Sequence, residues 1–331
     1  MSGVKSLVVT ARDDGIRLDR WFKTHYPGLK HSALEKLLRT GQVRVNGGRA
    51  KASRRIEAGE TIRVPPFSEE NAARIATNQP RREDVDSLRE MTIYEDDWVL
   101  ALNKPFGLAV QGGTKTKRHV DGMLASLAVD GDKPRLVHRL DRDTGGLLIL
   151  AKSRQAAARL GEAFQGRDVV KTYWALCAGV PEIRQGTINL PVAKKTARVG
   201  GRDQERMESA TDADAKKAIT DYMVLDTAGP VSFLALKPVT GRTHQLRVHC
   251  AAMGNPIIGD RKYGGAGAVI EGPPEGLQLF CRSMTFPHPE TGKRMTLTAP
   301  LSGRMKETWS LFGFDAEATC VWPDLRRKKK R

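Results

Sequence analysis

The densest set of chemically capable side chains is the run His138-Arg139-Leu140-Asp141-Arg142-Asp143-Thr144-Gly145-Gly146. Two carboxylates alternate there with guanidinium groups, immediately ahead of the apolar stretch Leu147-Leu-Ile-Leu150. A carboxylate so placed can attack an electrophilic carbon or stabilise a developing cation. The same spacing also suits a turn in which Asp141 and Asp143 simply pair with Arg139 and Arg142. The run alone leaves both readings open. A second set lies between Pro238 and His249 and holds Arg242, His244, Arg247 and His249. Either arginine could grip a carboxylate or phosphate through two parallel hydrogen bonds. The two histidines are five apart, not the four that would place them on one helical face for a metal, so packing or hydrogen bonding suits them better. No glycine-rich phosphate loop opens a helix near either set, and a nucleotide cofactor is not indicated.

Charge narrows the partners. The chain carries +17 over 331 residues, unevenly placed: +8 in residues 1–66, +6 in the last seven residues Leu325–Arg331, and +3 in all the rest. Positive charge concentrated at two ends fits a polyanion. Phospholipid is the competing polyanion, but no apolar run approaches the length of a membrane span and the N-terminal stretch lacks a signal-like apolar segment. Nucleic acid is the better reading, with no membrane partner. Cys177, Cys250, Cys281 and Cys320 are widely spaced and form no C-x-x-C pair. Free thiols in a reducing cytoplasm are expected, and no metal site.

The elements that must position these side chains fall into blocks. Residues 15–66 read as a small unit. Leu18, Trp21 and Phe22 make one helical stripe. Ser32 and Glu35 have capping-box spacing ahead of Leu34, Leu37 and Leu38, and Gly41 supplies a stop. Asn46-Gly47 is a hairpin turn dipeptide. Arg17, Arg20, Lys36 and Arg39 fall on the polar faces of this unit and form a basic surface. Residues 67–91 are polar and mixed in charge, and read as a linker. From Thr92 the pattern is strand-rich, with helices at a Ser153-capped segment and around Gln245-Leu-Arg-Val-His249. Strands outnumber helices without alternating with them, which predicts an α+β domain over 92–315 built on a mixed, mostly antiparallel sheet. Leu325–Arg331 reads as a basic tail.

The run 138–146 resembles the signature of the RluA-type family of pseudouridine synthases. So does the order of motifs around it: Asn103-Lys-Pro105, Lys171-Thr-Tyr173, Gly241-Arg-Thr-His-Gln-Leu-Arg247, Asn255-Pro-Ile-Ile-Gly-Asp260 and Tyr263-Gly264. Residues 15–66 look like an S4 RNA-binding domain. The resemblance implies an RNA isomerase that breaks the C1′–N1 bond of a uridine, turns the base and joins C5 to C1′. Such a rearrangement has no redox change and needs no cofactor or metal. It also implies roles. Asp141 is the catalytic carboxylate and Arg247 its ionic partner. Tyr173 stacks on the base, its hydroxyl helping to remove the C5 proton, and Arg139 helps extrude the nucleotide. Arg242 and His244 join Arg17, Arg20, Lys36 and Arg39 as RNA-binding residues. The partner implied is 23S rRNA or a large-subunit assembly particle, with no obligate protein partner. A non-catalytic S4-type RNA-binding or assembly protein has no need of Asp141, Tyr173 and Arg247 together. A nuclease calls for a metal cluster or paired histidines. The signature departs at Gly145, where the family usually has Ser; one small residue for another keeps the backbone path and removes a hydroxyl.

Overall fold

The computed structural model describes residues 4–26, 29, 31–66, 82–113, 116, 118–128, 133–166, 168–199, 202–209 and 215–322. Linker residues 67–81 and the basic tail 325–331 lie outside them. The chain divides into two compact units, Met1–Arg81 and Arg82–Arg331.

The first unit contains β1 (Lys5–Val8), α1 (Leu18–His25), α2 (His31–Arg39), β2 (Arg44–Val45) and β3 (Thr61–Val64). Its sheet runs β1-β3-β2 and is antiparallel throughout. The unit therefore starts before residue 15, because β1 closes one edge of that sheet. Leu18, Trp21 and Phe22 are all buried, packed with Leu34, Leu38, Ile56 and Ile62 into a core of the unit's own. Asn46 and Gly47 both have positive φ, and Val45 and Gly48 exchange hydrogen bonds of 3.0 and 2.9 Å across them. That is the tight turn the dipeptide predicts. Ser32 is not a cap: α2 begins at His31, one residue earlier, and Glu35 faces His31 at 3.5 Å one turn away.

The second unit opens with α3 (Arg82–Met91). This stretch read as the end of a linker, but Leu88 and Met91 are buried in the large core, and that burial makes it part of the domain. There follow β4 (Thr92–Glu95), β5 (Val99–Lys104), α4 (Val120–Met123), β6 (Arg135–Leu136), β7 (Gly145–Ala151), α5 (Arg154–Gly166), β8 (Val170–Ala178) and β9 (Gln185–Asn189). The chain continues through β10 (Val192–Val199), β11 (Arg202–Ser209), β12 (Ile219–Ala228), β13 (Val231–Pro238), α6 (Gln245–Ala252), β14 (Leu279–Pro287), β15 (Arg294–Thr298) and α7 (Gly303–Phe312). Ten strands form one sheet in the order β4-β5-β7-β14-β8-β13-β12-β9, with β6 added to β7 and β15 to β14. Only β7 and β14 run parallel, so the sheet is mixed and mostly antiparallel. β10 and β11 form a separate two-stranded hairpin.

Strand periodicity divides the core between the two faces of the sheet. Trp174, Leu176, Phe233 and Ala235 point into one cluster, while Ala175, Cys177, Leu234 and Leu236 point into the other. β7 is buried at every residue, as its unbroken apolar run requires. The Ser153 hydroxyl caps α5 by accepting from the Ala156 N–H at 3.0 Å. The four cysteines are free thiols. Among the described residues no helix is long and apolar enough to cross a membrane.

The loop between β6 and β7 is fixed by one buried cation. Lys104 ends β5 with no solvent exposure, and its Nζ donates to the carbonyls of Pro105 (2.9 Å), Leu108 (2.8 Å) and Arg142 (3.2 Å). Gly107 and Arg142 reinforce the tie. The Gly107 N–H donates to the Arg142 carbonyl at 2.9 Å, and Arg142 Nε donates to the Gly107 carbonyl at 3.0 Å. Two glycines close the loop. Gly146 has φ +100 and lies so near the Cys281 backbone that any Cβ would overlap it. Gly145 faces the Phe106 ring, and a Cβ there would stand 2.8 Å from Cζ. The departure from the family pattern thus has a steric counterpart: Phe106 fills the room that a serine side chain would take.

Burial pushes the Lys104 ammonium down to about 8, with Asp143 and Asp141 pulling it partly back. Lys104→Met strands the Pro105 and Leu108 carbonyls, while the Arg142 carbonyl keeps the Gly107 N–H, and should cost about 3 kcal/mol at pH 7 in urea unfolding. Between about pH 8 and the unfolded value of 10.5, the unfolded chain binds the extra proton, so stability from this group rises with pH. The variant lacks that rise, so the gap to wild type should widen by roughly 1 kcal/mol per pH unit across the window. Gly145→Ser should destabilise by about 1–3 kcal/mol through overpacking. The Phe106→Ala/Gly145→Ser double variant should recover part of that loss relative to additivity, measured as a double-mutant cycle.

Candidate active site

Asp141 lies in the loop that Lys104 anchors, its carbonyl accepting from the Thr144 N–H at 3.1 Å. Its carboxylate is about a quarter exposed, in the wall of a cleft of about 320 Å³. Among the described residues neither Asp141 nor Asp143 pairs with Arg139 or Arg142. Arg142 is spent on the Gly107 carbonyl, and Arg139 is exposed at the cleft mouth. The turn-pairing reading therefore does not hold.

β8 supplies the opposite wall. Lys171 and Tyr173 are two residues apart, so both project from one face of the strand into the cleft. Burial raises Tyr173 well above the ordinary phenol range, with Cys281 and Asp141 adding to the rise. Tyr173 is therefore a neutral phenol. Burial lowers Lys171, with Cys281 acting against it. His138, at the head of the signature, is not an acid–base group. It is half-buried, its Nε2 accepts from the Ile149 N–H at 2.9 Å, and its ring stacks on Phe164 at 4.7 Å. Burial, helped by Lys171, pushes it down to about 3, so it stays neutral and braces β7.

α6 supplies the third wall. Gln245 fixes its first turn. Its Oε1 accepts from the Thr240 hydroxyl (2.7 Å) and the Arg242 N–H (3.1 Å), while Nε2 donates to the Ile219 carbonyl (2.9 Å) and Thr220 Oγ1 (3.0 Å). A buried amide so fully satisfied holds the helix entry in one geometry. His244 and Arg247 then share a helical face at i and i+3. His249 is buried between Thr220 Oγ1 and the Leu190 carbonyl, both at 2.9 Å, in the hydrogen-bonding role expected of it. Arg242 lines the cleft but anchors Nε on the Lys217 carbonyl at 3.2 Å.

The expected Arg247–Asp141 pair is not made. Arg247 instead forms a two-point fork with Asp260, Nε at 2.8 Å and Nη2 at 2.6 Å. Asp260 also accepts from the backbone N–H groups of Lys262 and Tyr263, both at 3.2 Å, and is itself buried. A buried carboxylate with donors already aimed at it outcompetes the more exposed Asp141 for a planar fork. Burial alone would lower Arg247, but the hydrogen bond and charge of Asp260 more than offset it, with Tyr263 and Asp141 adding to the rise. Within 4 Å, the ionic neighbour of Asp141 is His244, with Nε2 3.7 Å from Oδ2.

On its other side Asp141 borders a wider groove of about 660 Å³. Arg139, Arg142, Arg247, Arg261, Lys262 and Arg304 line it, against Asp141, Asp143 and Glu275. Arg261, Lys262 and Arg304 carry no motif, and only folding brings them together. Asp260 and Tyr263 stood in recognised motifs, yet nothing in those motifs says what they bind.

In the first unit, Arg17 and Arg20 line a surface groove with Lys23 and His31, and Lys36 and Arg39 line another with Arg49 and Lys51. Arg17 is paired with Asp19 at 2.7 Å.

The family model for RNA pseudouridylate synthase matches residues 98–252, which include Asp141, Tyr173 and Arg247. The ribosomal large subunit pseudouridine synthase C of Pasteurella multocida is 36% identical over 309 residues, covering 92% of each chain. The protein of that name from Salmonella typhimurium is 34% identical over 312 residues, covering 92% of this chain and 95% of its own. Among solved structures, human RNA pseudouridylate synthase domain containing 4 is 26% identical with a TM-score of 0.58, covering 70% of this chain and 96% of that one. Human RNA pseudouridylate synthase domain containing 1 is 28% identical with a TM-score of 0.53, covering 63% and 82%. With a third of its residues shared across nine-tenths of its length, the chain belongs to the RluA-type family of RNA pseudouridylate synthases.

Proposed function

We propose that this chain converts specific uridines of bacterial 23S ribosomal RNA to pseudouridine, with Asp141 as the carboxylate that acts at C1′. One observation carries the reading: Asp141 is the boundary between two clefts of different chemistry. The narrower cleft, with Tyr173 and Lys171 in its wall, suits a flat uracil. The wider one, with six cations, suits the phosphates on either side of it. A uridine turned out of its strand would lay its ribose across Asp141. Extrusion costs a few kcal/mol, least in an unpaired loop, and Arg139 at the mouth of both clefts is placed to assist it.

The residues divide the chemistry. The Asp141 carboxylate attacks C1′, or stabilises cation character there and takes a proton from C2′; in either case the C1′–N1 bond breaks. The Tyr173 ring retains the freed uracil while it turns; C5 then bonds to C1′ as the Asp141 oxygen leaves or as C2′ regains its proton, the C5 proton passes to solvent and N1 takes one up. Because burial holds the Tyr173 phenol protonated, it serves as a stacking surface and donor, and a phenolate base for the C5 proton is disfavoured. Arg247 keeps a fixed positive charge near Asp141 without being consumed by it. The first unit, which contains the S4-like stretch 15–66, offers its grooves at Arg17, Arg20, Lys36 and Arg39 to RNA phosphates. Both free rRNA and assembling large-subunit particles present such a target. The relatives' printed name, which specifies the ribosomal large subunit, supports the choice of RNA.

Asp141→Asn should abolish tritium release from 5-³H-uridine-labelled rRNA while filter binding stays within about twofold, because the amide keeps its shape and loses its anionic oxygen. Near-normal turnover would remove Asp141 from the chemistry. Arg304→Gln should weaken binding of an rRNA fragment and flatten the slope of log affinity against log salt by about 0.7–0.9, one phosphate contact's share. The set of modified uridines should not change, since phosphate contacts carry no sequence information.

A further inference from the structure

His244 is the residue nearest Asp141 in charge terms, and its own surroundings fix which way its ring is protonated. Its backbone is left-handed, φ +53, a conformation that side-chain-bearing residues seldom adopt. The Gln245 clamp holds it there, at the entry to α6. From that position Nδ1 meets the Tyr263 hydroxyl at 2.7 Å and Nε2 faces Asp141 Oδ2 at 3.7 Å. The Tyr263 oxygen meanwhile accepts from the Met207 N–H on β11 at 3.3 Å. A phenol has one hydrogen to give; with Met207 donating to the oxygen, the arrangement in which that hydrogen goes to Nδ1 gives each of these groups a partner. The imidazole is then an acceptor at Nδ1 and carries its proton on Nε2, toward Asp141.

We propose that His244 is a positioning residue for the isomerisation, holding an Nε2–H donor against the Asp141 carboxylate and coupling it through Tyr263 to the β10–β11 hairpin. The proposal rests on the reading of Asp141 as the reacting carboxylate. At 3.7 Å the contact is open; a hydrogen bond forms at about 2.9 Å, a closure smaller than 1 Å. Three cations set the Tyr263 ring in place: Arg247 at 4.9 Å, Arg206 of the hairpin at 5.2 Å and Lys262 at 5.7 Å from its centroid. Met207 and Tyr263 also pack with Val192, Ala218 and Val248, which ties the hairpin base to α6. A hairpin displaced by RNA would therefore move the group that steers Asp141.

Burial favours the neutral His244 ring, against the pull of Asp141. Burial lowers it first, Arg247 and Lys262 lower it further, and Asp141 and Asp260 oppose them. Burial also keeps Tyr263 a phenol, the form that can donate.

The test combines tautomer and rate. In ¹⁵N-histidine-labelled protein without RNA, His244 should show an acceptor-type Nδ1 and a protonated Nε2, and in Tyr263→Phe that pattern should be lost. His244→Gln carries an amide N–H near the position of Nε2, and His244→Asn suits the left-handed backbone but falls short. In tritium-release kinetics the Gln variant should keep kcat within about threefold and the Asn variant should lose about tenfold or more, with KM for the rRNA within about twofold in both. Tyr263→Phe should acquire an acidic limb in kcat, because an imidazolium can now form and pair with Asp141. The opposite tautomer in the wild type overturns the proposal, and this readout does not depend on activity. So do equal kcat values for Gln and Asn, or a loss confined to KM, which would make His244 an RNA contact. A wild-type protein that shows the stated tautomer but forms no pseudouridine would instead defeat the functional reading.

Discussion

A single ammonium group, buried without a contacting carboxylate, holds the site in shape. Lys104 has no solvent exposure and, among the described residues, no ion pair; three carbonyl oxygens take the place of its hydration shell. A bare buried charge is expensive, and dipoles aimed at it are what make the charged state tolerable. The geometry that satisfies it also dictates the loop path, since one of those carbonyls belongs to Arg142, the residue after Asp141. The cation thus fixes the position of a carboxylate it does not touch. Asp141 and Asp143 in turn help to keep Lys104 charged. The anchor and the Asp141 carboxylate support each other across one turn of chain.

The second constraint is that Asp141 stands among many cations while no arginine grips it. A forked pair with Arg247 would tie up both carboxylate oxygens and blunt their reactivity. Asp260 takes that fork instead, and in doing so it also collects the N–H groups of Lys262 and Tyr263. One buried carboxylate therefore sets the positions of Arg247, of the Tyr263 ring and, through the Tyr263 hydroxyl, of His244. Cations outnumber carboxylates in the groove beside Asp141, while among the described residues no arginine pairs with its oxygens.

Local signals were legible in the sequence and through-space pairs were not. The apolar run of β7, the Ser153 cap, the Asn46-Gly47 turn and the stripe of Leu18, Trp21 and Phe22 each depend on residues within one turn or one strand, so their spacing declares them. Ser32 is not at the cap position because helix α2 starts one residue before it, at His31. The stretch 82–91 looked like linker because eight of its ten residues are not buried core; Leu88 and Met91 alone decide the matter, and only against a core supplied by distant strands. β14, on which the centre of the sheet depends, carries Arg282 and Ser283 in its middle. Its guanidinium stacks on Trp174 at 4.5 Å and donates to the Ala299 carbonyl, which no alternation rule reveals. The RluA-type signature located Asp141, Tyr173 and Arg247 in sequence, but Arg247's partner lay thirteen residues on, across a turn that the motif order did not connect to it.

The departure at Gly145 shows how such a site can change a residue and keep its geometry. A serine at this point would need space that the Phe106 ring occupies, and Phe106 is held on one side by Phe280 at 6.1 Å between centroids and on the other by the Arg304 guanidinium at 4.7 Å. Arg304 belongs to the basic groove beside Asp141. Its guanidinium reaches the ring by passing across Gly276, whose φ of +112 and missing Cβ leave the path open. The small residue after the carboxylate loop, the aromatic ring over it and the arginine on that ring form one packed stack. Whatever hydroxyl a serine would have offered, this chain offers instead a rigid apolar wall that seats a groove cation. The consequence is a division of labour within a few residues: Lys104 sets the floor of the loop by charge, and Phe106 sets its roof by volume.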